Sequence, residues 1–374
     1  MINRGSEWHR WEPHIHAPGT LFNNQFKGPN AWSDYITSLE QATPAIRAIA
    51  VTDYYCTDTY QDVVREMKEN GRLPQVALVF PNVELRLDVA TVKERWTNIH
   101  LLVCPDDPKH VAEVERFLSR LRFEAFGDNF ACTREDLAKL GRKSKPELSD
   151  ERAAFRHGAS QFKVNFGKLR EEYGKSDWAK ENILIAVAGA ETDGTSGIRD
   201  ANDATLRQEI EKFAHIIFAS SPAQRDFWLG RKSGVGEDVL RERYDGCKPC
   251  LHGSDAHEQA TVAKPDGDRY SWIKGALEFD ALRQAYIDPA GRAYVGPHPP
   301  FRATPARVIA EIELTGADWA QTPKLALNPG LVAIIGARGS GKTALADAIA
   351  AGCDADRKST RLNSSHLVNS YAVF

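Results

Sequence analysis

The chain has 374 residues, 42% of them hydrophobic and 26% charged, and a net charge of −3 at pH 7, fractions that exclude wholesale disorder and collagen-like repeats. No apolar run approaches the ~18 residues a membrane helix needs, and Met1–Gly5 lacks the apolar core of a secretory signal, so a cytoplasmic protein without a membrane partner is expected. Six cysteines form no disulfide framework, and the slight acidity leaves nucleic-acid binding to a local patch.

Apolar and β-branched runs predict strands at Trp11–His16, Ile46–Asp53, Gln75–Phe80, Asn98–Val103, Ile183–Ala188, His215–Ser220 and Cys250–Asp255. Helical spacing predicts helices at Trp32–Gln41, Thr59–Glu69, Pro108–Leu121, Thr205–Phe213 and Asp238–Tyr244. Strands alternating with helices imply an α/β fold, either a parallel barrel or a doubly wound sheet. Residues 139–182 interrupt the rhythm and read as an insertion, a surface loop with one or two helices. Its basic run Lys139–Lys145 reads as a solvated face. Gly296 followed by Pro297–Pro300 is a plausible linker.

Metal-ligating residue types recur at the ends of these strands. His14 and His16 close the first, and their i, i+2 spacing points both imidazoles one way. Asp53 closes the second, Glu84 lies just beyond the third, and His100 lies within the fourth. Glu191 and Asp193 follow the fifth, and Asp255 and His257 close the last. In parallel α/β proteins the carboxyl ends of strands build the site. Any one of these residues alone reads as structural or incidental. Their recurrence points to a site for Zn, Mn or Fe, in which a bridging carboxylate lets two ions share the chemistry of phosphate-ester hydrolysis. Cys247 and Cys250 read as two ordinary thiols, and His252 as a packed histidine on the face opposite Asp255. Ser220 and Ser221 read as phosphate contacts or a helix cap.

His14-x-His16, Thr52-Asp53, Glu84, His100 and Ser254-Asp255-Ala256-His257 together resemble the ordered motifs of the PHP (polymerase and histidinol phosphatase) family. The resemblance implies a distorted (β/α)7 barrel holding up to three metals, and a phosphoesterase activity centred on Asp255, Glu84 and His257. It implies a first metal site of His14, His16, Glu84 and Asp255. Glu84 would bridge to a second site with His100, His257 would belong to a third, and Asp53 would be a further metal ligand. Two departures stand out. The family's Asp-His after the second strand is Asp53-Tyr54 here, and its histidine after a middle strand is replaced by Gly189–Asp193, where Glu191 is the substitute ligand. The resemblance thus implies two metals.

Gly336-Ala-Arg-Gly339-Ser-Gly341-Lys342-Thr343 matches the phosphate-binding loop G-x-x-x-x-G-K-S/T, between an apolar run, Leu331–Ile335, and a helix-forming run, Ala344–Ala351. Backbone N–H groups and the helix N-terminus would cradle the phosphates of ATP, Lys342 would reach the terminal phosphates, and Thr343 would hold Mg. Asp268–Ala285, between the barrel and this loop, is similar to the connecting segment of TrlF-type AAA-like ATPases, PHP domains fused to an SMC- or RecF-like ATPase. That likeness implies action on nucleic acid. Asp356–His366 reads as a translated sequencing-library adapter, so 356–374 is expected to be a foreign tail and 301–355 the truncated start of the ATPase, after a barrel spanning 1–300. The expected activity is a nuclease-like phosphoesterase coupled to the ATPase. The alternative, favoured by Tyr54, is a degenerate barrel that senses or scaffolds. A small-molecule phosphatase fits the fused loop less well. The oligomeric state is not legible.

Overall fold

The computed structural model describes residues 4–90, 96–189, 204–300, 308–314 and 324–353. Glu191, Asp193 and the expected tail 356–374 lie outside the described residues. The chain divides into two units, Trp8–Pro300 and the combination of Met1–Glu7 with Phe301–Phe374.

In the larger unit, strand β1 (Glu7–His16) leads through α1 (Ala31–Glu40) to β2 (Ile46–Tyr54), and through α2 (Asp58–Asn70) to β3 (Leu78–Ala90) and β4 (Trp96–Val103). After α3 (His110–Leu118), β5 (Arg122–Ala125) and β6 (Asp128–Ala131) form a small hairpin. Four helices follow: α4 (Arg134–Ser144), α5 (Glu151–Gln161), α6 (Phe166–Lys175) and α7 (Asp177–Asn182). Then come β7 (Ile183–Ala188), α8 (Ala204–Phe213), β8 (Ile216–Phe218), α9 (Pro222–Trp228), α10 (Glu237–Tyr244) and β9 (Cys250–Leu251). The unit ends with β10 (Tyr270–Gly275), α11 (Asp280–Ile287), α12 (Pro289–Arg292) and β11 (Ala293–Gly296).

Nine strands join in one sheet, ordered β11-β10-β1-β2-β3-β4-β7-β8-β9. β1, β2 and β3 run parallel, as do β7, β8 and β9, but β4 is antiparallel to both of its neighbours. This corrects the all-parallel expectation. Only residues 91–95 separate β3 from β4, too few for the crossover of a dozen or more residues that a parallel pair requires. The sheet curls until its two ends nearly meet. Beyond β9, Asp255 N–H donates to His14 O at 2.9 Å, and Ser271 of β10 exchanges hydrogen bonds with the backbone of His252.

Strands buried on both faces read as near-continuous apolar runs, as β2 does with Ile46, Ile49, Val51 and its alanines. Inside the barrel lie Trp11, Ala48, Ala50, Phe80, Leu102, Ala186 and Phe218. The outward faces pack on α1 and α2 through Ile15, Ile49 and Val51, and on the later helices through Val83, Leu101 and Ile185.

Residues 139–182 are more than a surface loop. α4 to α7 each start at a Thr, Asp, Asn or Ser whose side chain accepts the backbone N–H three residues on, and they bury Leu137, Leu140, Phe155 and Leu169. Their charged outer faces mask that apolar spacing in the sequence. The basic run does lie on a solvated face: Lys139 and Lys143 pair with Asp128, and Arg142 with Glu151. Asp268–Ala285, read as a connector, instead supplies β10 and α11 to the barrel unit.

In the smaller unit, β12 (Glu311–Glu313) pairs antiparallel with β13 (Lys324–Ala326), and α13 spans Lys342–Gly352. The strand expected at Leu331–Ile335 is absent. Among the described residues no strand pairs with it, and Leu331 and Ile335 are exposed. Gly339 and Gly341 have φ of 83° and 85°, a backbone that favours glycine, and Lys342 Nζ folds back onto Gly336 O and Ala337 O at 2.6 and 2.7 Å. No described helix is long and apolar enough to cross a membrane.

Candidate metal centre

Sheet register decides which side chains meet. Tyr54 pairs with Glu84, Glu84 with His100, and His100 with Ala186, so these four share one row on the barrel's inner face. His16 pairs with Thr52, and Thr52 with Asn82, one row deeper. In β1 the register shifts between Glu12 and Ile15. Glu12 aligns with Ile49 and Ile15 with Val51, while His14 and His16 turn inward. Glu84 therefore sits within β3 rather than beyond it. The strand is longer than Gln75–Phe80 because Leu85, Leu87 and Val89 continue its buried outer face.

Asp255 arrives from outside any strand. The last expected strand, Cys250–Asp255, shrinks to Cys250–Leu251, and the chain then leaves the sheet to lie along β1. Gly253 makes this possible, since a Cβ there would stand 2.4 Å from His14 O. Asp255 itself adopts φ of 46°, a left-handed backbone that Asp tolerates better than most residues and that is typical of functional positions.

Four atoms result in close array. His14 Nε2 and His16 Nε2 lie 3.1 and 3.4 Å from Asp255 Oδ1, and 3.7 and 3.5 Å from Glu84 Oε2. All four are buried and, among the described residues, none has a hydrogen-bond partner, nor has His100 Nε2. Buried polar atoms are almost always satisfied, so such a cluster calls for a shared partner. Ligand atoms bonded to one ion at about 2.0–2.1 Å stand about 3.3–3.4 Å apart in a tetrahedron, close to the 3.1–3.7 Å that separates each imidazole nitrogen from the two carboxylate oxygens. The donor set of imidazoles and carboxylates suits Zn, Mn or Fe. His16, Asp255 and His257 form a second overlapping group, with His257 Nε2 3.6 Å from Asp255 Oδ1.

Neighbours orient the donors towards the cluster. Asn82 gives its amide N–H to Thr52 Oγ1 and Pro13 O, so its Oδ1 accepts from His100 Nδ1 at 3.1 Å and leaves Nε2 as a lone pair. Thr20 donates to Asp53 Oδ1 and so accepts from His16 Nδ1 at 3.1 Å, which turns Nε2 towards the cluster as the nitrogen that ligates once it has lost its proton. Asp53 Oδ1 also accepts from Leu21 and Tyr54 N–H, so the structure places that oxygen behind His16 with its donors already supplied. Asn98 Nδ2 donates to Glu84 Oε1 and leaves Oε2 for the cluster.

Burial alone would raise the Glu84 and Asp255 carboxyls, but the surrounding histidines hold both well below the usual carboxylate range. Burial pushes His100 down to about 3 and also lowers His257. For His16 burial is outweighed by Asp255 and Glu84, which push it up to about 9.

Tyr54 is buried and stacks on His16 with ring centroids 5.0 Å apart, while His257 stacks on His16 at 4.0 Å. Phe218 walls the other side against His14 and His100. His252 is buried beside Ser271, and Ser221 caps α9 by accepting from Gln224 N–H. No disulfide joins the cysteines. Asn82, Asn98, Thr20 and Phe218 were not anticipated from sequence. The two asparagines were within reach, because each precedes a ligand-type residue by two positions on the same strand face, Asn82-x-Glu84 and Asn98-x-His100.

No protein-family model matches the chain, and no curated protein does. Among solved structures, a candidate metal-dependent phosphoesterase from Bifidobacterium adolescentis aligns at 12% identity over 74% of this chain and 95% of its own, with a TM-score of 0.36. A likeness at that level leaves fold and chemistry to be argued from the residues.

Proposed function

We propose that the barrel is a metal-dependent phosphoesterase of PHP type. The observation that carries this is the convergence of four buried donors, His14 Nε2, His16 Nε2, Glu84 Oε2 and Asp255 Oδ1, each nitrogen within 3.1–3.7 Å of both oxygens and none with a hydrogen-bond partner among the described residues. Divalent cations bound there would supply Lewis acidity to a phosphoryl oxygen and a water of lowered pKa. Glu84 and Asp255 contribute the negative charge that retains cations, Glu84 between His14, His16 and the His100 side. His257, only half-buried and neutral near pH 7, can take a proton at the mouth. Tyr54 fills space beside His16 and offers no imidazole, which favours two metals over three and keeps the sensor or scaffold reading as the alternative.

Within this reading the substrate is a phosphodiester, nuclease-like, and the barrel is coupled to a nucleotide-binding module that carries the phosphate loop. Gly336–Thr343 would bind ATP with Mg. Supporting this are the left-handed Gly339 and Gly341, the helix that begins at Lys342, and the Lys342 ammonium already folded into the loop's carbonyls. Action on nucleic acid rests on that architecture alone.

The test pairs metal analysis with turnover. The purified chain should hold Zn, Mn or Fe and cleave a generic phosphodiester. Asp255→Asn, which keeps shape and removes charge, should lose metal and at least 100-fold in turnover while remaining folded. Metal binding without turnover on any ester would favour the scaffold reading. Full activity in Asp255→Asn would misplace the site.

A further inference from the structure

Asp255 is the one donor of the cluster's four that no strand holds. Its placement depends on Gly253–Asp255, a strip laid along β1, and one side chain of β1 grips that strip. Glu12 is fully buried, and its Oε1 accepts the Ser254 N–H at 2.6 Å. Its Oε2 lies 3.7 Å from Arg10 Nη2. Arg10 is in turn fixed by bonds to Pro44 O at 2.7 Å and Ala263 O at 2.6 Å, and its guanidinium lies over the Tyr270 ring. The register shift in β1 turns Glu12 away from the barrel interior, so it reaches the strip from the side opposite the donors.

We propose that Glu12 is a positioning residue for the metal centre: through the Ser254 amide it sets the left-handed Asp255 backbone and hence where Asp255 Oδ1 stands. This rests on the metal-centre reading above. Three contacts hold the strip. Asp255 N–H binds His14 O, Gly253 permits the approach, and Glu12 supplies the only bond to Ser254 N–H among the described residues. The bond that the Ser254 N–H donates to the buried Glu12 carboxyl group is the shorter of the two hydrogen bonds, 2.6 Å against 2.9 Å. Groups one step behind a ligand typically change metal affinity 10–100-fold when removed.

Length discriminates this role from bulk stability. Glu12→Asp keeps the charge beside Arg10 but draws the oxygen back by one carbon–carbon bond, about 1.5 Å. Glu12→Gln keeps the reach and an oxygen acceptor. Each variant of the full chain would be stripped with chelator and titrated with Co²⁺, reading affinity and the visible d–d spectrum. Exchange of the 253–257 amides would be followed by mass spectrometry in the metal-free protein. Glu12→Asp should weaken Co²⁺ binding 10–100-fold, alter the spectrum and speed exchange at 253–257, and Glu12→Gln should stay within about 5-fold of wild type. Asp255→Asn serves as the control. If it loses Co²⁺ while Glu12→Asp binds with wild-type affinity, spectrum and exchange, the positioning role is wrong and the metal centre stands. If wild type binds no Co²⁺, or Asp255→Asn binds it unchanged, the metal centre falls and takes this role with it.

Discussion

In the metal-free protein His16 keeps its proton to about pH 9, whereas His100 sheds its proton by about pH 3. The two have opposite consequences for stability. The folded value of His16 lies above the ordinary 6.5, so its stabilisation is complete below pH 6.5 and is lost as pH rises through 9. The folded value of His100 lies below 6.5, so its contribution is present above 6.5 and is lost as pH falls towards 3. Between pH 6.5 and 9.5 chelator-treated wild type should therefore lose melting temperature relative to chelator-treated His16→Gln, a comparison that cancels the opposite trend expected from the lowered Lys163 and Lys248 ammonium groups. Metal affinity should rise over the same interval, because the proton on His16 must leave before the nitrogen can ligate. Melting curves and calorimetric titrations across that range would check both, and a metal-free melting point that climbs towards pH 9.5 relative to His16→Gln would contradict the proton assignment. Thr20→Val gives a sharper probe. It severs the link from Asp53 to His16 Nδ1 at nearly constant volume, and should cost 10–100-fold in metal affinity with little change in fold, read by titration. Thr20 carried no signal in the sequence. It lies in the loop after β1, where period-two spacing says nothing, whereas the ligand-type residues stood out because acids and imidazoles are rarely found in a barrel interior.

Elements were legible where their burial is one-sided or uniform. β7 and the five helices read from spacing, α1, α2, α3, α8 and α10, lie within three residues of the expected bounds, since apolar spacing is what packing selects. The parallel arrangement failed at β4, because strand direction is set by connection length rather than by composition. The end of β9 failed because the chain there follows a backbone hydrogen bond and a glycine rather than a ladder. Helix pairing in the insertion turns on two glycines that spacing alone does not reveal. A Cβ on Gly141 would stand 2.0 Å from Ala154 O, and one on Gly158 would stand 1.7 Å from Leu137 O, so α4 and α5 touch backbone to backbone. Gly158→Ala should force the helices apart and cost about 3 kcal/mol, despite alanine's better helix propensity. Denaturant titration would show it. Unchanged or raised stability would mean that α4 and α5 do not cross so closely.

At the scale of the whole chain, every described donor of the metal cluster falls within Trp8–Pro300, while the phosphate-loop motif falls in the unit that contains Phe301–Phe374. Sequence separated these two chemistries, but it placed Asp268–Ala285 between them. Its Trp272 and Ile273 belong to a strand of the barrel sheet, a role that local composition cannot distinguish from a linker helix and turn. If the two chemistries are independent, mutations should separate them. Lys342 Nζ is now satisfied by Gly336 O and Ala337 O, contacts that a nucleotide's phosphates would replace with stronger charge-assisted ones. Lys342→Ala should therefore abolish binding of a fluorescent ATP analogue while leaving the metal content of the barrel at the wild-type level. Asp255→Asn should do the reverse. Both variants can be read on one preparation by anisotropy and elemental analysis. Retained nucleotide binding in Lys342→Ala would remove the phosphate-loop reading, and metal loss in that variant would show that the two sites are coupled rather than separate.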